Sequence, residues 1–427
     1  MSNNYINSDN YNNSKPKILH ILYASLPYIS GYSIRSHFIL KHQKNFVHPF
    51  ALTNPEFFRK KEPDIIENIT YFRFPPDLGY TLFFKPRTFQ RIKVANFYKW
   101  FYYHLLKTSL IYLQKVVEIK KIELIHAHSI GDFSKYVEKI AKNYKLPYIY
   151  EIRGFLEDTR VGLGILKEKS RSYMKRQKKI TSLIKKVDLI ITLGKSMKEE
   201  LINRGIREDL IKIVPNGVDT IYLCPKPPNI NLKQKLGINK KYIIGYIGSV
   251  RRIEGIEVLI KAMKILIRKN ISVHLLIIGR YNLSYYKELK IISKKLGIEK
   301  DISFIGSVPH SKIREYYSFI DIIVIPRKNI RVNRLVTPLK PLEGMAMGKV
   351  VLTSDLPALR ELVKPNISGD LFESGNYEGL ANKLIYYISN SEARDNLGKK
   401  AREFVENNFA WSTIIKKYIS IYNQLLN

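Results

Sequence analysis

Lys340 and Glu343 stand three apart in a stretch otherwise made of prolines, small residues and apolar ones, LVTPLKPLEGMAMG (Leu335 to Gly348). A solvated charged face does not have this composition. The flanking runs DIIVIP (Asp321 to Pro326) and VVLT (Val350 to Thr353) are short and apolar, the pattern of parallel strands buried on both faces. The segment between them therefore reads as a strand-to-helix crossover whose helix starts near Lys340. In open α/β sheets ligands sit beyond the carboxyl ends of the strands, and a helix start there turns free N–H groups toward an anion. The arm from Pro326 to Lys340 carries Arg327, Lys328, Arg331, Arg334 and Lys340 and no acid, so a phosphate fits. A solvated basic loop is the plain alternative; the helix start behind the arm favours the anion site. Pro338 and Leu339 lead the backbone in, Lys340 and Arg327 supply charge, and Glu343 can accept from two adjacent hydroxyls, as on a ribose, or simply serve the helix dipole.

Other residues with chemical potential lie at other strand ends. Gly248 falls in the turn GYIGSVRRIEG after the run YIIGYIG; this is not GxGxxG, so no dinucleotide fingerprint is present, but glycine permits close backbone approach and Arg251 and Arg252 add charge. His126 and His128 alternate in ELIHAHS and share a strand face, which raises the question of zinc. With Cys224 the lone cysteine and no third ligand nearby in sequence, no metal is expected. Gly31, in PYISGYSIR, is either a close-approach glycine or an ordinary turn residue before a helix from Ser33. Arg153 and Gly154 end the run PYIYEI, and Asn216 and Gly217 open the loop PNGVD.

These positions sit in a chain of 427 residues, 45% apolar, enough for two ordinary cores. Strand-like runs alternate with helical spacing throughout, which predicts two doubly wound α/β domains in tandem. The expected division is a disordered tail at 1–15, a first domain at 16–214, a proline-marked linker at 215–240, a second domain at 241–409 and a closing helix at 410–427. The first fourteen residues lack the basic start and apolar core of a signal peptide, and no run of about 18 apolar residues occurs. The formal charge is +35, which asks for an anionic partner. Two stretches of the first domain, Lys85 to Lys121 and Ile165 to Lys186, each carry nine Lys or Arg against one Glu. Solvated helix faces are one reading of them and an anionic membrane surface is another. No nucleic-acid motif accompanies them, so nucleic acid is not expected.

In order along the chain, SLPYISGY, IHAHS, VPNGVD, GYIGSVRRIEG and LEGMAMGKVVLTSD resemble the retaining glycosyltransferases of family 4, which have the GT-B fold. SGY and TPLKPLE look most like an exopolysaccharide-associated, exosortase-linked subgroup. The resemblance implies two Rossmann-like domains facing across a cleft, with the last helix crossing back onto the first domain. It also implies metal-independent transfer of a sugar, with retention, from a UDP- or GDP-sugar to a lipid-linked or polysaccharide acceptor; the lone cysteine suits a reducing cytoplasm, and the two basic stretches suit a place on the inner face of the membrane. No separate cofactor is expected. By resemblance Glu343 holds the nucleotide ribose, His128 touches the donor sugar, and Gly31, Asn216, Gly248 and Pro338 to Lys340 line the donor side. The chain departs from the pattern at three points. The family's arginine and lysine for the diphosphate are Ser249 and Glu254 here, and its first glutamate is Leu335. Lys340, then Arg327, then Arg251 or Arg252 are the candidate replacements. A sugar-nucleotide epimerase of the same fold and a catalytically inactive, basic binding protein are the alternatives.

Overall fold

A computed structural model describes residues 15–54, 63–74 and 109–427. The expected N-terminal tail, but for its last residue, and the basic stretch as far as residue 108 lie outside them. Two sheets carry the fold. The first contains β1 (Lys17–Leu22), β2 (His48–Thr53), β3 (Asp64–Ile66), β4 (Ile69–Phe72), β5 (Leu124–His128), β6 (Tyr148–Ile152), β7 (Leu189–Thr192) and β8 (Ile211–Ile213), in the order β3-β4-β2-β1-β5-β6-β7-β8. The second contains β9 (Tyr242–Ile247), β10 (Val273–Ile278), β11 (Ile302–Gly306), β12 (Ile322–Ile325), β13 (Val350–Ser354) and β14 (Asp370–Phe372), in the order β11-β10-β9-β12-β13-β14. Apart from the antiparallel pair β3–β4, neighbours are parallel. Parallel strands need crossovers, and the crossover helices bury both sheet faces, so the strands read as continuous apolar runs.

The helices that bear on the site are α1 (Gly31–Gln43), α2 (Leu156–Gly162), α3 (Arg171–Ile184), α4 (Lys195–Asn203), α5 (Arg331–Leu335), α6 (Lys340–Ala346) and α7 (Trp411–Leu426). The sequence places the start of α1 at Ser33, but Ser30 is its cap. Ser30 Oγ accepts from Ser33 N at 3.1 Å and Ser33 Oγ accepts from Ser30 N at 2.8 Å, a reciprocal pair that moves the start to Gly31. Likewise the basic helix expected from Ile165 begins at Arg171, because the Ser170 side chain accepts from Tyr173 N at 3.3 Å.

Along β1, β5 and β6 alternate residues face opposite ways. Leu19, Ile21, Ile125, Ala127 and Tyr150 enter one core, while Ile18, Leu124 and Ile149 pack against Trp411, Ile414, Tyr418 and Tyr422 of α7. The last helix thus returns to the first sheet. The same sheet face also carries buried polar residues: His20, His126, His128 and Glu151. Arg35 of α1 meets them. Its Nε donates to Glu151 at 3.1 Å, Nη1 to Pro215 O and Asn216 Oδ1 at 3.0 Å each, and Nη2 to Val214 O at 3.1 Å and Tyr418 Oη at 2.7 Å. Burial alone would push the Glu151 carboxyl up; Arg153 and Arg35 outweigh it and hold Glu151 well below the usual carboxylate range. Replacing Arg35 with Met leaves that carboxylate buried with one cation fewer and should cost about 3–5 kcal/mol of stability. Urea unfolding measures this, and a loss under 1 kcal/mol would contradict it.

Candidate active site at the junction of the two sheets

The site forms where the arm after β12 meets the turn after β9. Helix α6 begins at Lys340, with Pro341 in its first turn, where a missing N–H costs nothing. The Lys340 side chain runs back across the β9 turn. Gly248 has φ +146°, and a Cβ there would come within 2.0 Å of Lys340 Cε, so only glycine lets the lysine stem pass. Beyond it Lys340 Nζ lies over the Tyr246 ring and 2.7 Å from Glu254 Oε2.

Glu254 is fully buried, and three cations converge on it: Lys340, Arg327 with Nε at 3.4 Å, and Arg251 with Nη2 at 3.9 Å. Three positive groups around one carboxylate leave a net charge of plus two. Burial would push Glu254 up, but Lys340, Arg327 and Arg251 hold it at about 2. Burial, helped by Arg327 and Arg251, lowers Lys340 to about 8 against the pull of Glu254. Arg327 is further fixed by Nη1 donating to Val336 O at 3.0 Å. Arg252 is not part of the cluster: it pairs with Glu288 at 2.5 Å and stacks over Tyr285. Ser249 is exposed, and its carbonyl accepts from Tyr246 Oη at 2.8 Å.

Glu343 lies one turn of helix below Lys340. Its carboxylate accepts from Tyr317 Oη at 3.1 Å and keeps a partly open face. Enclosure by protein pushes its pKa up against the pull of His310, Tyr317 and Lys340. The small pocket beside it is lined from both units, by Ile34 and Phe38 of α1, Gly217, His310, Leu339 and Trp411. Gly31 is exposed on the opposite wall, and a Cβ there would sit 3.6 Å from Leu339 Cδ1. Pro338 is buried. Asn216 joins the walls. Arg35 can only donate, so Asn216 Oδ1 faces it and Nδ2 is left to donate to Thr337 O at 2.9 Å. Gly31, Asn216, Leu339, Lys340 and Glu343 are thereby brought to one junction.

His128 is not brought to that open junction. Its side chain is fully buried, with Nδ1 accepting from Arg153 Nη2 at 2.6 Å and Nε2 at 2.9 Å from His20 Nδ1. His20, on β1, is the third histidine that spacing alone could not supply: parallel pairing sets His20 beside His126, and the ligand atoms of all three histidines lie within 4.8 Å of one another. The hydrogen bonds engage these nitrogens within the protein. Because arginine only donates, His128 Nδ1 is the acceptor and Nε2 carries the proton, which it donates to His20 Nδ1. His20 Nε2 then donates to Gln43 Oε1 at 2.9 Å, the Gln43 amide to Tyr422 Oη at 3.0 Å, and Tyr422 Oη to His126 Nδ1 at 2.8 Å. His126 Nε2 is left facing Glu151 at 3.4 Å. Burial lowers the pKa of all three imidazoles, which are neutral, and their lone pairs are taken by protein donors. Arg153 is likewise engaged within the protein, with Tyr32 O and Ser36 Oγ.

Known proteins match this chain over both units. The model of "Glycosyltransferase Family 4" matches residues 40–222 and that of "Glycosyl transferases group 1" residues 229–404. The second unit thus matches the group 1 glycosyltransferases and the first the family 4 model, on a GT-B fold. An uncharacterised glycosyltransferase of Methanocaldococcus jannaschii is 28% identical over 55% of this chain and 59% of its own length. The capsular polysaccharide biosynthesis glycosyltransferase CapM of Staphylococcus aureus is 24% identical over 56% of this chain and 62% of its own. The chain thus spans about 60% of the length of these two relatives. Among solved structures, Anabaena HepE with UDP and glucose superposes with a TM-score of 0.74 at 18% identity, covering 96% of this chain and all of that one. Sucrose-phosphate synthase of Thermosynechococcus elongatus gives 0.73 at 17% identity, over 96% and 99%.

Sequence reasoning missed Arg35, His20 and Glu151. Their signal was a polar residue at a face position of an apolar strand or helix, which becomes meaningful only once the strands are paired. The Lys340 ammonium carries its charge below about pH 8, and a dianion is bound by the charged form. Affinity for a nucleoside diphosphate should therefore fall roughly tenfold from pH 7 to pH 9 in the wild type and stay flat in Lys340→Met. A flat wild-type profile in calorimetric titration would contradict this.

Proposed function

We propose that this protein transfers a sugar from a nucleoside diphosphate donor, UDP- or GDP-linked, to a lipid-linked or polysaccharide acceptor, with retention at the anomeric carbon and no metal in the chemical step. The observation that carries the reading is the charge of plus two that Lys340, Arg327 and Arg251 leave around Glu254, since a diphosphate leaving group needs about that much cationic charge. As the bond from the anomeric carbon to the diphosphate oxygen breaks, negative charge grows on the diphosphate and positive charge on the sugar. Lys340 and Arg327 stabilise the first. Glu343, partly open beside them, takes the ribose hydroxyls. The names of two relatives support the substrate class: CapM acts in capsular polysaccharide biosynthesis, and LpcC of Rhizobium leguminosarum is a lipopolysaccharide core mannosyltransferase. The UDP and glucose of HepE support the donor class.

Glu343→Ala removes the two ribose hydrogen bonds and keeps the helix start, so donor affinity should fall by roughly 1.5–3 kcal/mol. Titration of UDP and GDP into wild type and variant measures this; unchanged affinity and turnover would contradict the assignment.

The same reading places the protein on the inner face of the cell membrane. No helix of the described residues is long and apolar enough to cross a membrane. Support for a surface role is the positive face of α3 together with Leu163 and Ile165, exposed in the loop before it. Flotation with anionic vesicles should recover the protein at low salt and lose it as salt rises; equal recovery with neutral vesicles would contradict an electrostatic attachment.

A further inference from the structure

The arm that carries Arg327 and Lys340 is fastened to the first unit by a charge that the first unit itself lacks. Glu157 and Asp158 of α2 and Glu200 of α4 are buried together. Among the described residues Arg204 is the one cation of the first unit paired with them, at 2.6 Å from Glu157, 2.7 Å from Glu200 and 3.6 Å from Asp158. Lys175, Lys178 and Lys185 of α3 line the groove alongside without an ion pair to any of the three. One guanidinium does not balance three buried carboxylates. The second comes from the other unit: Arg331, at the start of α5, sets Nη2 2.5 Å from Glu200 Oε1 and donates from Nε to Asp158 Oδ1 at 3.0 Å.

Helix α5 in turn holds the residues around Glu254. The buried Asn333 donates from Nδ2 to Ile253 O at 2.7 Å and to Lys328 O at 2.9 Å, and Ile253 immediately precedes Glu254. Val336, which follows the helix, accepts from Arg327 Nη1 at 3.0 Å. The fit against the first unit is close: a Cβ on Gly162, the last residue of α2, would come within 2.9 Å of Ile330 Cδ1, 3.1 Å of Ile253 Cγ2 and 3.3 Å of Val332 Cγ1. With five residues α5 is too short to hold its own shape, so its place is set by what it is tied to. Among the described residues Arg331 is its polar tie to the first unit.

On the glycosyltransferase reading, we propose that Arg331 is a positioning residue for the donor diphosphate. Its guanidinium is taken up by Glu200 and Asp158, so it acts through α5, which sets Arg327 and the loop of Glu254, and through Glu254 it bears on Lys340 and Arg251. Because the acids that hold it belong to the first unit, the cation cluster takes its working geometry only where the two units meet. A cation misplaced by about 1 Å loses much of its effect on a transferring group.

The test compares full-length variants with the wild type: Arg331→Met removes the tie, Arg331→Lys keeps its charge without the fork, and Asp158→Asn weakens it from the other unit. Calorimetric titration with UDP, UMP, GDP and GMP gives the preference for diphosphate over monophosphate of one base, and hydrogen exchange follows the amides of 332–336 with no nucleotide present. Arg331→Met should lower the preference at least about fivefold, keep monophosphate affinity within about twofold of wild type, and speed exchange at 332–336 at least about tenfold relative to β9. Arg331→Lys and Asp158→Asn should shift both readouts the same way by less, and they decide by the same criteria if Arg331→Met does not fold. A lowered melting temperature with the preference and the local exchange unchanged would show a role in stability alone and overturn the proposal, as would equal losses of diphosphate and monophosphate affinity. A wild type with no diphosphate preference would count against the glycosyltransferase reading; exchange at 332–336 then decides the tie by itself, faster exchange in Arg331→Met upholding it and unchanged exchange overturning it.

Discussion

A carboxylate buried in a sheet is tolerated only with its cations beside it, and Glu151 is the constraint around which the two halves are joined. Arg35, which answers it, has further N–H groups that reach the interdomain segment at Val214 to Asn216 and Tyr418 of the returning helix. One side chain thus ties the first sheet, the segment joining the two halves and the C-terminal helix. Through Asn216 the same contacts reach Thr337, three residues before Lys340. Elsewhere the junction is held by another carboxylate: Glu361 of the second unit accepts from Lys195 N at 2.6 Å and Ser196 N at 2.8 Å, capping α4 of the first.

At the cluster around Glu254 the charge pattern departs from the one the family resemblance implies. A glutamate occupies the place of the lysine, and a lysine from α6 crosses Gly248 to meet it. Glu254 keeps Lys340 and Arg327 oriented in the absence of an anion, much as a counter-ion would, and the excess of positive charge remains for a ligand. Two changes that look damaging one at a time, Ser249 and Glu254, read together with Lys340 as a relocated cation site.

The fold was largely legible. Apolar runs such as DIIVIP and VVLT are strands covered on both faces, and alternation with helical spacing admits little besides doubly wound sheets. Start points were less so: Ser33 has the chemistry of a cap, but the Ser30–Ser33 pair makes it the partner of one, which depends on backbone geometry that no single residue type reveals. At the site, Lys340, Glu343 and Gly248 were legible because charge or glycine is conspicuous among apolar neighbours. His20 and Arg35 were not, since their meaning comes from His128 and Glu151, each more than 100 residues away. His128 stood out for its spacing, yet its position against Arg153 and His20 turns it inward.

The central claim is that Lys340, Arg327 and Arg251 around Glu254 make a diphosphate site. Titrating the wild-type protein with the nucleoside diphosphate and monophosphate of the same base, at low salt and near pH 7, tests it directly. The account predicts diphosphate binding at least about ten times tighter, the second phosphate meeting the excess charge. Equal affinity for the two would contradict it.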